Sequence, residues 1–492
     1  MAHKGKITIN NFHRGQASSP FVNDGAFAYS QGLDVFRDKK GVARLAEKMG
    51  VVAGSGDGLT GLPKWTRFEK TYKNTIYMLD DTPNVQVSTD SGATWTGGLT
   101  PPSGGFSTGF GQGLTIWKDY LFVVGNTAID VYGPLSGTPT WDKAWQTLSN
   151  SDVDWHPCLW GLDDKLYIGH GNDIASIAEV DGQDFNPDTA GTYTFTDTAL
   201  DLPEAVQVKC LENSIDKLLI GTWKGSGSTF QKFARIYPWD MESPSFDSPI
   251  IIDTHGINAM KNINGNIYVA AGIEGRIYVL RDTFLEEVVQ IPQDLSAGGW
   301  VQIYPDAINE FAGKIVVGVS LGGGAIYSGL FTLDGKRFCF EFIEGEGAVT
   351  AIYVPTVFSS GGNSLIMGIR EGTARQIHAK NTSGYRYTSY SGLFESLVYQ
   401  VGSQYDPMVT SKITVRLARA LQTGEGVKVK YRTSYGGTWL LVGTRDLSTD
   451  GALTNIVFDF TQNLAGSLEV RVELTTGGSS ANTPLVHEVV VE

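Results

Sequence analysis

Cysteine is scarce in this chain, with three in 492 residues, and Cys158, Cys210 and Cys339 are widely spaced and odd in number. That excludes a disulfide framework. Cys339 lies in the strand-like Arg337-Phe338-Cys339-Phe340, where a small buried hydrophobe is expected. Charged residues are also few, 18% of the chain, and they balance to a net charge of −14. An acidic balance argues against bulk binding of nucleic acid or an anionic membrane surface, though not against a local basic patch. No apolar run approaches the roughly 20 residues needed to span a bilayer, so no membrane span is expected. The opening Met1-Ala2-His3-Lys4-Gly5-Lys6 has no apolar core segment, so no secretory signal peptide is expected either. Sustained helical periodicity is missing. The nearest stretch, Thr283 to Val288, is too short to stand alone.

Glycine, by contrast, is abundant at 60 residues, and dispersed glycine suits short strands joined by tight turns, because it accepts positive φ without a Cβ clash. A phrase recurs: a turn pair, a hydrophobic strand, a small-residue break and a second strand. Its first strands begin at Ile76, Leu121, Leu166, Leu218, Ile267, Ile315 and Leu365, at intervals of 45, 45, 52, 49, 48 and 50 residues. Second strands follow, such as Asn84 to Val87, Ala128 to Tyr132, Arg276 to Leu280, Ala325 to Leu330 and Ala374 to Ile377. Further strand-like segments precede the markers, such as Leu114 to Trp117 and Val349 to Tyr353. A period in the 40s with several strands per repeat is the pattern of propeller blades. The fold class expected is therefore all-β, with a seven-bladed β-propeller over residues 46–388.

The flanks differ from the repeat. Residues 1–45 read as an extended arm followed by a hairpin, Gly32 to Arg37 with Gly41 to Leu45, placed to close the ring and cover an exposed edge. Residues 389–492 show strict alternation in Lys412 to Leu417, Gly426 to Tyr431, Asn455 to Phe460 and Leu468 to Leu474, ending in Val486 to Val491. Alternation places one face in a core and one in water, and about 100 residues of it suggest a β-sandwich.

Ser88-Thr89-Asp90-Ser91-Gly92-Ala93-Thr94-Trp95 resembles the Asp-box turn of many propellers, sialidases among them. Asp90 is expected to accept backbone N–H bonds, Gly92 to take positive φ and Trp95 to pack beneath, a structural role complete in itself. Thr433 to Trp439 is a weaker echo without the aspartate. A sialidase would need several boxes and an arginine cluster, and neither is visible. Gly318-Val319-Ser320-Leu321-Gly322 matches a hydrolase nucleophile elbow, but a strand rather than a helix follows it. Gly56 to Gly61 matches a dinucleotide loop, but Pro63 follows and no helix. The seven histidines have no zinc-ligand spacing. Asp80 with Asp81, and Asp152 with Asp154, read as turn carboxylates, which leaves calcium open. No cofactor and no catalytic residue are expected. Trp141, Trp145, Trp155 and Trp160 crowd one inter-blade region, where they either stack on a glycan or a protein partner or fill the wedge between blades.

The order of parts carries a resemblance. Phe12-His13-Arg14-Gly15, then Gly32-Leu33-Asp34-Val35-Phe36-Arg37-Asp38 and Gly41-Val42-Ala43-Arg44-Leu45, looks like the start of tailed-bacteriophage virion proteins. In those an arm and a strand pair lead into a propeller. Tyr390-Ser391-Gly392-Leu393-Phe394 onward to Tyr431-Arg432-Thr433 and Val470 to Leu474 is similar to the sandwich that follows. The resemblance implies a structural role in a phage tail rather than an enzyme. It implies virion partners, a homo-oligomeric ring and assembly in the host cytoplasm. The alternatives are a tail protein that binds a host-surface glycan, and a glycan-cleaving enzyme with paired carboxylates.

Overall fold

The computed structural model describes residues 5–17, 19–23, 25–36, 41–46, 49–51, 67–70, 74–79, 84–99, 101, 106, 111–150, 155–223, 233–291, 301–321, 328–344, 347–353, 363–371, 374–381, 392–450, 453–476 and 483–492. The chain is all-β and divides into two compact units. One holds residues 51–328 and 345–382; the other holds 1–50, 329–344 and 383–492.

Short apolar runs separated by turn residues make the larger unit a series of antiparallel meanders. Five four-stranded sheets follow in chain order, starting with Arg67–Lys70, Ile76–Leu79, Val85–Ser88 and Thr96–Leu99. The second sheet is Gly113–Trp117, Tyr120–Val124, Ala128–Gly133 and Thr140–Thr147. The third is Cys158–Trp160, Leu166–His170, Asp173–Glu179 and Tyr193–Asp201. The fourth is Gln207–Asn213, Leu218–Trp223, Phe233–Trp239 and Ile250–Asp253. The fifth is Ile257–Ile263, Asn266–Ala271, Arg276–Arg281 and Phe284–Gln290. Val301–Phe311 then pairs with Lys314–Leu321. Gly347–Tyr353, Asn363–Glu371 and Ala374–Asn381 form a last meander, bordered by the two-residue strand Gly50–Val51, whose Val51 opens the unit.

All seven marker triplets lie in the second strand of a group. In the first four sheets every residue from Ile76 to Leu79, Tyr120 to Val124, Leu166 to His170 and Leu218 to Thr222 is buried. These strands are covered on both faces, which is why they read as unbroken apolar runs. Tyr193–Asp201, a fourth strand, instead alternates between half-buried and exposed positions over most of its length. The first strands of successive groups touch in order, and Gly347–Tyr353 of the last group touches Arg67–Lys70 of the first. From the second sheet to the fifth, adjacent sheets share cores: Phe122 and Trp117 with Ile168 and Phe185, then Tyr167 with Tyr237 and Trp239, then Ile236 with Met260 and Val269.

The small-residue break has a steric cause. A Cβ on Gly169 would lie 2.6 Å from Val208 Cγ1 of the next sheet, and one on Gly221 would lie 2.5 Å from Cys210 Sγ and 2.8 Å from Ile257 Cγ2. Glycine there lets the neighbouring first strand approach.

The smaller unit contains two antiparallel sheets. One has the order Ile7–Ile9, Val486–Val491, Met408–Leu417, Asn455–Leu464. The other has the order Tyr29–Gln31, Gly392–Glu395, Gly466–Thr475, Gly426–Arg432, Leu440–Asp446, with Tyr399–Val401 also on Gly466–Thr475. Leu440–Asp446 is a strand that alternation does not announce.

Among the described residues of 1–45 the expected hairpin is present, but not at the ring-closing position expected of it. Leu33–Asp34 does pair with Arg44–Leu45, but within the smaller unit, where Ala43 bridges Val486 and the Leu45 amide donates to Thr483 Oγ1 at 2.9 Å. Ile7–Ile9 is a full member of the first sheet because its β-branched residues continue two apolar rows. The strand at the border of the last meander is Gly50–Val51 instead. The expected strand over Ala325 to Leu330 begins at Ser328, and residues 322–327 lie outside the described residues. Ser328–Asp334 and Arg337–Glu344 follow in the chain, and the latter joins the smaller unit: Phe338 O accepts from the Gln16 amide at 2.8 Å, and Phe340 N donates to Ser30 Oγ at 3.2 Å.

Gly221→Ala and Gly169→Ala should each destabilise the larger unit by about 1–3 kcal/mol through overpacking. Chemical denaturation followed by tryptophan fluorescence checks this, and an unchanged midpoint would contradict the close approach.

Candidate functional site

The Asp-box residues form the turn between Val85–Ser88 and Thr96–Leu99. Ser88 Oγ donates to Asp90 Oδ1 at 2.8 Å and accepts from the Gly92 amide at 2.8 Å. Asp90 also accepts from the Thr94 amide at 2.9 Å and from Thr94 Oγ1 at 2.6 Å. Gly92 has φ of 75°, and a Cβ there would meet Ile366 Cδ1 at 2.3 Å, so the turn is seated on the last meander. Burial works against the Asp90 carboxylate, but the Thr94 hydroxyl and amide, the Ser88 hydroxyl and the Ala93 amide outweigh it and hold its pKa below the ordinary value. Trp95 is half-buried. The Ser88, Asp90 and Thr94 side chains thus bond within the turn, as a structural element requires.

The four tryptophans occupy four different environments. Trp141 packs on Tyr132 and Phe106 at ring separations of 4.9 and 5.9 Å. Trp145 lies against Tyr193 at 4.7 Å and donates to Pro187 O at 3.2 Å. Trp155 is 1% exposed, with Lys209 Nζ 5.7 Å from its ring. Trp160 is 45% exposed and donates to Asp164 Oδ1 at 2.8 Å. Trp160 alone of the four presents a broad ring face to solvent.

A polar cluster that sequence reasoning did not single out lies on the third sheet. His170 is fully buried, its Nε2 2.8 Å from Asp197 O and its Nδ1 3.3 Å from Asn150 O. Asp173 and Asp201 face each other across the strand pair, and Asn150 Nδ2 donates to Asp173. Burial raises the Asp173 pKa, His170 opposes this, and Asp201 and Asp197 add to it. Asn172 Nδ2 ties the turn to Asp201 Oδ1 at 2.9 Å and to Leu202 O at 2.9 Å. These side chains bind one another and the backbone, so the cluster closes a turn. At the opposite end of the same strands a cavity of about 570 Å³ is lined by Asp163, Asp164, Lys165, Glu179, Asp181 and Asp184 among others. Its inner carboxylates are already engaged: Lys118 with Asp164 and, at 2.8 Å, with Glu179; Tyr167 and Lys165 with Asp163 at 2.7 and 2.8 Å. The only sequence signal for either feature is carboxylate density, which marks turns equally well.

In the smaller unit the Asp-box echo is the turn between Gly426–Arg432 and Leu440–Asp446. The Trp439 ring receives Arg432 and Arg471, each with its guanidinium carbon 4.4 Å from the ring centre, and Tyr435 meets Phe21 at 5.1 Å. Arg432 forks onto Glu469 at 3.0 and 2.6 Å, and Lys430 reaches Glu473 at 2.6 Å. Without the aspartate, the Gly437 amide donates to Ser434 O at 2.9 Å within the turn, and cation–π contacts hold the tryptophan.

Gly318 to Leu321 of the apparent nucleophile elbow lies inside the strand Lys314–Leu321, and Gly322 lies outside the described residues, as do Gly56 to Gly61, Asp80, Asp81, Asp152 and Asp154. Among the described residues no group of three or more histidine, cysteine or carboxylate side chains is arranged to hold a metal, and no helix is long and apolar enough to cross a membrane.

No protein-family model and no curated protein matches the chain. Among solved structures it is similar to the WD40 β-propeller domain of Doa1, at 13% identity and a TM-score of 0.43, covering 68% of this chain and 98% of that one. It is also similar to the Dos1 propeller, at 14% identity and a TM-score of 0.40, covering 71% and 96%. An exo-β-1,3-galactanase from Phanerochaete chrysosporium aligns at 10% identity and a TM-score of 0.29, covering 91% and 100%. At such values these similarities carry no inference about this chain's activity, ligand or partner.

Asp90→Ala should cost about 1–2 kcal/mol, the scale of losing a carboxylate cap on backbone donors. Because the folded pKa is depressed, the Asp90 contribution is complete above the unfolded pKa and is lost as pH falls through the folded value. Asp90→Asn should flatten that part of the acid stability profile, and a profile identical to wild type would contradict the assignment. Trp155→Ala should cost about 3–5 kcal/mol, while the exposed Trp160→Ala costs about 0.5 kcal/mol or less. Parallel denaturation curves check the difference, and equal losses would contradict the burial described.

Proposed function

We propose that this chain is a non-enzymatic structural component of a bacteriophage tail, a seven-bladed β-propeller joined to a β-sandwich, assembling with other virion proteins and with copies of itself in a ring. The four-stranded meanders and the cyclic contacts of their first strands support the blade count, with Gly50–Val51 completing the last blade. The two facing-pattern sheets of the smaller unit support the sandwich.

The observation that carries the assembly role is the set of exposed apolar side chains in the smaller unit, where Phe21 packs on Tyr435 and Leu440 adjoins Leu441; the larger unit also exposes Ile215, Ile251 and Phe284. Phe21, Val22, Tyr435, Leu440, Leu441, Leu453 and Val457 are all in the smaller unit and between 43% and 61% exposed. Grouped exposed hydrophobics mark contact surfaces. The polar clusters of the larger unit, by contrast, are absorbed in turns. In this reading the protein is made in the host cytoplasm and resides in the virion tail.

Host-glycan binding is the second reading, favoured by Trp160, with Leu162 also 53% exposed nearby in sequence. Mass photometry of the purified protein together with a glycan array separates the two. Ring-sized particles and a blank array are the expected result. A monomer that binds a defined glycan would replace assembly with receptor recognition.

A further inference from the structure

The first sheet of the smaller unit has a property that only its register reveals. Ile7, Val491, Ile413 and Phe458 form one cross-strand row, Thr8, Val490, Thr414 and Val457 the next, and Ile9, Val489, Val415 and Ile456 a third. The first and third rows carry the apolar face: Ile413, Val415, Ile456, Phe458, Val489 and Val491 are all buried. One position beyond the first row, the strands carry charges of alternating sign. Lys6 Nζ is 3.2 Å from Glu492 Oε1, and Lys412 Nζ is 3.1 Å from Glu492 Oε2. Lys412 in turn stands opposite Asp459. The row therefore reads plus, minus, plus, minus from one edge of the sheet to the other.

The two edges complement each other in direction as well. The sheet has four strands and every pairing in it is antiparallel, so its edge strands, Ile7–Ile9 and Asn455–Leu464, run in opposite senses. A second copy placed head to tail would bring its Ile7–Ile9 antiparallel to Asn455–Leu464. The second sheet lacks this property. Its path has five alternating strands, so Tyr29–Gln31 and Leu440–Asp446 run in the same sense, and a head-to-tail copy would meet it in the weaker parallel arrangement.

The edge strand Asn455–Leu464 has little of the usual protection where the incoming strand would lie, because its bulge falls between Asp459 and Gln462, past the Asp459 row. It is ten residues long, without proline or lysine, and Asp459 is its single charge. Natural edges that stay unpaired are normally short, bulged or charged. Val457 is 43% exposed on it and Leu453, just before it, 56%.

We infer that Asn455–Leu464 is the docking edge for Ile7–Ile9 of a second copy of this chain, extending the sheet from subunit to subunit. Continuing the existing rows places Thr8 of the incoming copy opposite Val457, Ile7 opposite Phe458 and Ile9 opposite Ile456. The same register sets Lys6 opposite Asp459 and keeps the alternation of charge. The contact is heterologous, so it closes into a ring when the rotation per subunit permits. It rests on the self-assembly proposed above and names the surface responsible.

Charge reversal tests it. Asp459→Lys alone and Lys6→Glu alone should each weaken self-association about tenfold per interface, because like charges then face each other across the strand pair. Mixing the two variants restores opposite charges at both kinds of junction, so the mixture should assemble as wild type does, in rings of even copy number. Circular dichroism and thermal melts of each variant confirm that the fold is kept. Sedimentation velocity reads the result. If wild type assembles and the single variants assemble equally well, the edge assignment is overturned while self-assembly stands. If folded single variants dissociate and their mixture stays dissociated, the Lys6–Asp459 register is overturned. If wild type is monomeric throughout, both the edge and the ring are overturned.

Discussion

Face-to-face stacking of small sheets is the constraint on which the larger unit depends. A four-stranded meander has two faces and buries neither by itself, so each sheet is stable only between neighbours. The second strand of each group sits at the centre of this stack, and its burial on both faces explains the uninterrupted apolar triplets. Gly169 and Gly221 mark how close the stacking is, since a single methyl group would overlap the next first strand. At about 25 cal/mol per Å² of apolar surface removed from water, cores such as that of Trp117, Phe122, Ile168 and Phe185 outweigh any single turn or ion pair. The first strand of the last group returns to the first strand of the first group, so the stack leaves no terminal face uncovered.

Polar groups in this unit serve the turns between strands. The Asp-box holds its own hairpin, and His170, Asp173, Asp197 and Asp201 lock another. A catalytic pair needs carboxylates facing a cleft with capacity to spare. Here Asp173 is buried against Asn150, and Asp201 holds the Asn172 amide. The smaller unit is organised differently. Its ion pairs follow one sheet, Arg432 on the buried Glu469 and Lys430 on the buried Glu473, and its exposed apolar residues include Leu440, Leu441 and Val457 on edge strands and Phe21, Val22, Tyr405 and Leu453 outside strands. The pairs of Lys6 and Lys412 with Glu492 are more exposed, and such pairs contribute little to stability on their own. Their register value is larger, because a row of alternating charge penalises every misaligned pairing.

Much of the architecture was legible in the sequence because its strongest signals are local. The seven markers, the Asp-box from Ser88 to Trp95 and the alternation in Met408–Leu417 and Gly466–Thr475 each depend on neighbours within a few residues. Fourth strands such as Thr140–Thr147 were harder to read, since no buried residue interrupts their mixture of exposed and half-buried positions. Leu440–Asp446 was hidden for the same reason, with Leu440 and Leu441 both exposed and Gly443 interrupting it. Proximity in sequence misdirects at the tryptophans, where Trp155 is buried and Trp160, five residues on, faces solvent. The row of Lys6, Glu492, Lys412 and Asp459 comes from four distant segments and exists only once the register is known. The hairpin from Gly32 to Leu45 reads as ring closure on the need to cover an edge, but Leu33–Asp34 and Arg44–Leu45 pair within the smaller unit, where Ala43 bridges Val486.

A subunit that extends its own sheet must pair Ile7–Ile9 with Asn455–Leu464 of the next copy. The most direct measurement is a cryo-electron microscopy reconstruction of the assembled wild-type protein at a resolution that shows strand pairing. The account predicts a closed ring in which Ile7–Ile9 of one copy runs antiparallel to Asn455–Leu464 of the next, with Lys6 facing Asp459. A ring in which Asn455–Leu464 remains open to solvent, or pairs with a different strand, would contradict it.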